Sequence, residues 1–180
     1  GDATSNIKLI DGNVASGSSL HIDGADISGS KTLTVDASAE TNGTVSVTGG
    51  AGADTITGGS GDDTGNMGSN LTSSDTIDGG DGTGDTLKFT DGNSATDDLD
   101  GISNIETVEL GDATASITLI DATVASTKTL AVDASNLTNG KTLTLDATAE
   151  ADGKLSITGG ADNDTIKMGA RMSTDQTIDG

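Results

Sequence analysis

The sequence predicts an all-β chain wound as a right-handed parallel β-solenoid. Three observations predict it. A stretch of fifty residues occurs twice, short alternating strand patterns carry one or two aliphatic residues each, and glycine and aspartate recur on a nine-residue spacing.

The duplication sets the architecture. "GDATSNIKLI" at Gly1 and "GDATASITLI" at Gly111 open two copies that run without a gap for fifty residues and share about half of them. The copies stay in register to Asp54 and Asp164, and meet again at "TIDG", Thr76–Gly79 and Thr177–Gly180. From Asp54 to Ile77 is 23 residues and from Asp164 to Ile178 is 14, a difference of nine. A stacked structure gains or loses whole units, because a fractional unit would turn core side chains to solvent. Nine residues are therefore read as a structural module, and the chain as a window on a longer array with a repeat of about 110 residues.

Composition explains why the strands must stack. Hydrophobic residues make up 31% of the 180, Phe89 is the only aromatic, and Trp, Tyr, Pro and Cys are absent, so no strand can build a core of its own. The strand patterns are "NIKLID", "SLHID", "TLTVD", "TVSVTGG", "DTITGG", "DTIDGG" and "DTLKF". Leu33 and Val35, Val45 and Val47, and Ile56 are the inward residues; Thr32, Thr34 and Asp36 face outward. Aligned from coil to coil, these few aliphatics make one narrow core. Glycine-rich corners join the strands. In "TDDLDGISNIETVEL", residues 96–110, Leu99, Ile102 and Ile105 have near-helical spacing, which predicts a short helical turn or cap.

The chain divides into a first solenoid copy over 1–48, a glycine–aspartate segment over 49–89, a connector or capping turn over 90–110, a second copy over 111–158 and a truncated glycine–aspartate segment over 159–180.

A net charge of −21 argues against nucleic acid and anionic membranes as partners, since both require basic patches. No apolar run approaches the length of a membrane span. Only four of the 29 acidic residues are glutamates (Glu40, Glu106, Glu109 and Glu150), a bias towards the short carboxylate used in tight turns and hard-cation sites. Asp11, Asp23, Asp36, Asp121, Asp133 and Asp146 close strand patterns in both copies, as Asx-turns or as metal ligands. Catalysis has little to work with: there is no cysteine nucleophile, and the single histidine, His21, aligns with Ala131. The sequence reads as that of a non-enzyme.

"GGAGADTIT" carries Gly49, Gly50, Gly52, Asp54 and Ile56 at every specified place of the nonapeptide G-G-x-G-x-D-x-U-x. It resembles the RTX, or hemolysin-type calcium-binding, repeat. "GGSGDDTGN" keeps Gly58, Gly59, Gly61 and Asp63 but has Gly65 at the aliphatic place, which puts its strand in question. "GGDGTGDTL" brings Asp85 and Leu87 one place late, and "GGADNDTIK" keeps Gly159, Gly160, Asp164 and Ile166 with Asp162 at the fourth place. The resemblance covers about a fifth of the chain. It implies β-roll turns in which Ca2+ sits between successive turns, held by aspartates and backbone carbonyls. The residues implied are Gly50, Gly52, Asp54, Gly59, Gly61, Asp62, Asp63, Asp75, Asp78, Asp81, Asp85, Asp162 and Asp164. Ca2+ is favoured over Mg2+, which demands stricter octahedral geometry and keeps its waters, and over transition metals, whose usual ligands are missing with no Cys and His21 the only His. Asp54 and Asp63 are expected on neighbouring turns along one side of the stack.

The function implied is structural: a calcium-folded repeat of a secreted bacterial surface-layer protein, adhesin or filament that associates with further copies or repeats. Two alternatives stand beside it, an ice- or ligand-binding threonine face and the calcium-binding tail of a secreted hydrolase.

Overall fold

The computed structural model describes residues 3–90, 99–169 and 176–180, and among them there is no helix. Every strand pairing is parallel. The even-numbered strands form one sheet: β2 (Ser19–Asp23), β4 (Thr44–Thr48), β6 (Thr64–Gly68), β8 (Thr86–Phe89), β10 (Thr107–Leu110), β12 (Thr129–Asp133), β14 (Lys154–Thr158) and β16 (Thr177–Asp179). The odd-numbered strands form two shorter sheets. One holds β1 (Ser5–Lys8), β3 (Leu33–Asp36), β5 (Thr55–Thr57), β7 (Thr76–Asp78) and β9 (Ile102–Ser103); the other holds β11 (Ala115–Thr118), β13 (Leu143–Ala147) and β15 (Thr165–Met168). The chain thus alternates between two faces with each strand, a β-solenoid of about 7 turns.

Coil length follows the sequence. The shortest step, Val45 to Asp63, is 18 residues, two nonapeptides to one coil. The steps flanked by longer turns reach 28. A nonapeptide is therefore half a coil. "TIDG" shows the consequence. Thr76–Asp78 of the first copy is β7, paired with β5 on the odd face. Thr177–Asp179 of the second copy is β16, paired with β14 on the even face. Losing nine residues moves a strand to the opposite side of the solenoid.

Leu33, Val35, Val45, Val47 and Ile56 are buried as their alternation requires, and the core runs on through Ile77, Leu87, Val108, Val132 and Ile157. The strand containing Gly65 does form. Gly65 pairs with Val47 and Leu87, and a one-residue slip between Asn66 and Gly68 accompanies Met67, only 1% exposed, in the core. The helical turn expected in 96–110 is not found over its described part, 99–110, which holds β9 and β10. Leu99, Ile102 and Ile105 are buried, and Asn104 takes a left-handed φ of 52° between β9 and β10. Their spacing comes from inward residues on either side of a tight corner.

At the corners successive coils touch through backbone. A Cβ on Gly61 would lie 2.1 Å from the Gly43 carbonyl oxygen, and one on Gly82 would lie 2.6 Å from that of Gly61. Only glycine permits that column.

Candidate functional site

The aspartates of the glycine-rich corners turn inward. Asp54, Asp63, Asp75 and Asp85 are all buried, with exposures of 1%, 6%, 1% and 0%. A buried carboxylate needs donors, and the coil geometry supplies backbone amides from two levels. Asp54 accepts the Gly50 N–H from its own turn and the Leu33 N–H from the coil before, both at 2.7 Å. Its own N–H donates to Asp75 Oδ1 at 2.7 Å, and Asp75 Oδ2 accepts the Thr72 N–H at 2.8 Å. On the other face Asp63 accepts the N–H groups of Gly59 and Val45 at 2.6 Å, and its N–H donates to Asp85 Oδ1 at 2.6 Å. The Asp85 N–H donates in turn to Glu106 Oε2 at 3.1 Å.

Two ladders therefore climb the stack. Asp54 and Asp75 begin the strands of the odd face, and Asp63, Asp85 and Glu106 begin those of the even face. The expectation that Asp54 and Asp63 share one side is wrong for a physical reason: nine residues are half a coil, so consecutive nonapeptides place their aspartates on opposite faces. The second copy repeats the odd ladder. Asp164 accepts the Leu143 N–H at 2.7 Å and the Gly160 N–H at 2.8 Å.

The other expected residues lie around these ladders. Gly52 packs where a Cβ would meet the Lys31 carbonyl oxygen at 2.0 Å, and Gly59 where it would meet that of Glu40 at 2.4 Å. Asp62 is exposed and accepts the Thr83 N–H at 3.3 Å. Asp78, half-buried at the end of β7, accepts the Gly80 N–H at 3.1 Å and the Asn104 amide at 2.8 Å. Asp81 is exposed on its turn, and Asp162 is exposed and accepts the Gly140 N–H. Asp23, Asp36, Asp133 and Asp146 close Asx-turns, each accepting the N–H two residues on. Asp11 and Asp121 instead reach the next coil, to the N–H groups of Thr41 and Ala151.

Sequence reading missed Glu106 and Gln176. Gln176 stands where the first copy has Asp75, yet it accepts the Leu155 N–H, the counterpart of the Val45 N–H bound by Asp63. Coil spacing is the signal for both: each accepts from a residue 21 positions earlier.

Asp85 is the least satisfied rung. Its Oδ2 is buried and has no hydrogen-bond partner among the described residues. Burial, together with the charges of Asp63, Glu106 and Asp62, pushes its carboxyl up to about 7 despite the Asp63 amide. Burial also raises Asp63 and Asp75, against the pull of their amide donors. On the surface, the Lys8 ammonium and Ser38 hold Asp36 down to about 2, and Lys141 and Thr138 do the same for Asp112. For Asp85 the folded state holds a proton that the unfolded state has released between pH 3.8 and about 7, so its contribution to stability falls as pH rises through that window. Asp36 and Asp112 act oppositely, losing their contribution only below 3.8. In chelator, the melting temperature is expected to rise on acidification from pH 8 to about 5. A melting temperature that falls over that range would refute the assignment of Asp85 as a strained buried acid.

The chain matches no protein-family model, no curated protein and no solved structure in comparisons with each. The likeness to RTX repeats rests on the nonapeptides themselves.

The ladder residues offer only oxygen: carboxylates and the carbonyls that crowd the glycine column. A Cβ on Gly82 would lie 2.5 Å from Asp85 Oδ2 and 2.6 Å from the Gly61 carbonyl oxygen, so the glycine leaves room beside both. The unpartnered buried Asp85 Oδ2 and the Gly61 carbonyl are oxygen donors of the kind a hard divalent cation takes, but the carboxylates of Asp85, Asp63, Asp62 and Glu106 do not converge as a ligand cluster.

Proposed function

We propose that this protein is a structural, calcium-stabilised β-solenoid repeat of a secreted bacterial cell-surface or extracellular assembly, of the surface-layer, adhesin or filament kind. The observation that carries this reading is the unpartnered, buried Asp85 Oδ2 among further acids, in a chain of net charge −21. Self-repulsion of that size opposes compaction, and a cation at the corners would relieve it where it is strongest. Asp85 would meet the ion through its Oδ2 on the even face, with the Gly61 carbonyl beside it and the charges of Asp63, Glu106 and Asp62 nearby. The ion's part is to neutralise these carboxylates. The chain's part is to carry them at coil spacing on a ladder of backbone hydrogen bonds.

Partly covered aliphatic residues on the outer strands suit self-association. Ile178 on the edge strand β16 is 49% exposed, and Ile7, Leu20 and Ile22 on β1 and β2 are only partly covered. No helix among the described residues is long and apolar enough to cross a membrane. For the ice-binding alternative, the outward row Ser46, Thr64, Thr86 and Thr107 is small and hydroxylated. The next outward row, Thr48, Asn66, Lys88, Glu109 and Asp133, is largely charged, which gives a flat threonine face no second rank. The hydrolase-tail alternative has no observation in its favour.

The reading is tested by far-ultraviolet circular dichroism during a calcium titration from excess chelator. β-structure and melting temperature are expected to rise together, with a midpoint of about 10⁻⁴ to 10⁻³ M, the range of extracellular calcium modules. Identical spectra and melting in chelator and in calcium would overturn it.

A further inference from the structure

The two copies share a turn pair outside the glycine–aspartate corners, and they fill it differently. In the first copy Asp11, between β1 and β2, faces Glu40 to Asn42, between β3 and β4. Asp11 Oδ1 accepts the Thr41 N–H at 3.1 Å, the Thr41 hydroxyl and the Asn42 amide at 3.3 Å. Glu40 is fully buried and satisfied. Its Oε1 accepts the N–H groups of Asn42 and Gly43 at 3.2 and 3.0 Å, and its Oε2 that of Val14 at 3.3 Å.

In the second copy the counterparts are Asp121, Glu150, Ala151 and Asp152. Alanine removes the hydroxyl donor, and aspartate puts an acceptor where the amide donor stood. The backbone bonds remain: Ala151 N–H to Asp121 Oδ1 at 3.0 Å, and Asp152 and Gly153 N–H to Glu150 Oε1 at 3.1 and 2.8 Å. Two features are new. Carboxylate oxygens of Asp121, Glu150 and Asp152 lie within 4.8 Å of one another. Glu150, only 9% exposed, has its Oε2 buried with no hydrogen-bond partner among the described residues.

We propose that Asp121, Glu150 and Asp152 bind one calcium ion in the second copy, at a site the first copy lacks. Asp121 lacks the two side-chain donors that Asp11 has, and Glu150 Oε2 lacks a partner such as the Val14 N–H that Glu40 accepts. Asp152 adds a third carboxylate, which leaves a set of negative oxygens that a cation would satisfy. The oxygen-only donors select a hard ion. Asp121 and Asp152 are exposed, so water can complete the six to eight ligands that calcium accepts in irregular geometry. The site uses none of the ladder carboxylates and does not depend on their binding calcium.

The test counts calcium bound per chain at saturation by equilibrium dialysis, on the full chain and three isosteric variants. Asp152→Asn, which restores the residue of the first copy, and Asp121→Asn, which keeps the oxygen that caps Ala151, are each expected to bind one ion fewer than the parent. Asp11→Asn is expected to bind the parental number. If the corner ladders bind no calcium, the parent binds one ion and Asp152→Asn binds none, so the two readings fail separately. Parental stoichiometry in both second-copy variants, loss of an ion in Asp11→Asn, or no calcium bound by the parent would each overturn the proposal.

Discussion

Deleting Gly49–Asn66 is expected to leave a folded solenoid one coil shorter, whereas deleting Gly58–Asp62 abolishes the stack beyond β5. The eighteen-residue excision removes β5 and the first three residues of β6, so neither strand can form, and returns every later strand to its own face. β7 then meets β3, and Asp75 can accept the Leu33 N–H that Asp54 accepted. β8 meets β4, and Asp85 can take over the Val45 N–H from Asp63. The five-residue excision takes Asp63's glycine partner Gly59 and brings the following inward row out of register with the core. A nine-residue deletion, Gly58–Asn66, lies between them. It is expected to fold with the later strands exchanged between faces, as the second copy does at β16. The chain has no cysteine, so pairing can be read by engineered disulfides. Cysteines at Thr55 and Thr76, paired across β5 and β7, should cross-link in the parent; cysteines at Ser46 and Thr76 should do so only in the nine-residue deletion. Equal melting of the five- and nine-residue deletions would mean that nine is no unit of structure.

The fold was legible because its determinants are local and repeated. Alternation in "TLTVD" and "TVSVT" states which side chains face inward, and the gapless duplication states that coils stack. What escaped was the half-coil parity. A nonapeptide match says that Asp54 and Asp63 occupy equivalent turns, and equivalence is not adjacency. The face on which a turn lies depends on how many strands precede it, which no single motif records. The apolar spacing of Leu99, Ile102 and Ile105 misled for a related reason: three inward residues around the left-handed corner at Asn104 mimic one helical face.

The candidate site was legible in its residue types and not in its contacts. Glycine–aspartate phrases identified Asp54, Asp63 and Asp164, but the motif does not show that their oxygens accept amides of the preceding coil. That partnership depends on residues some twenty positions earlier, and its variations, Glu106 and Gln176, belong to no nonapeptide. Glu150 is visible only by contrast with Glu40. The same glutamate in the same turn is satisfied in one copy and left with a free oxygen in the other.

The same isosteric change at two rungs should act with opposite sign. Asp54 uses both oxygens for buried amide donors, so Asp54→Asn sets an NH2 group against either the Leu33 or the Gly50 N–H. An unsatisfied buried donor costs about 1–3 kcal/mol, which lowers the melting temperature by roughly 2–4 °C per kcal/mol in a chain of this size. Asp85 uses one oxygen, for the Asp63 N–H, and its other is unpartnered among the charges of Asp63, Glu106 and Asp62. Asp85→Asn keeps the acceptor, removes the buried charge and adds a donor facing those acids. In chelator at pH 8 it is expected to raise the melting temperature and to flatten its rise on acidification, because the group whose carboxyl is pushed up to about 7 is gone. Calcium should reverse the order: the parent gains stability from the ion, and the variant, having lost a ligand oxygen, gains less. The measurement is a pair of melts for each protein, in chelator and in millimolar calcium. An Asp85→Asn variant less stable than the parent in chelator would remove the strained rung from the ladder. A variant more stable in both buffers would keep the strain but take Asp85 out of any calcium site.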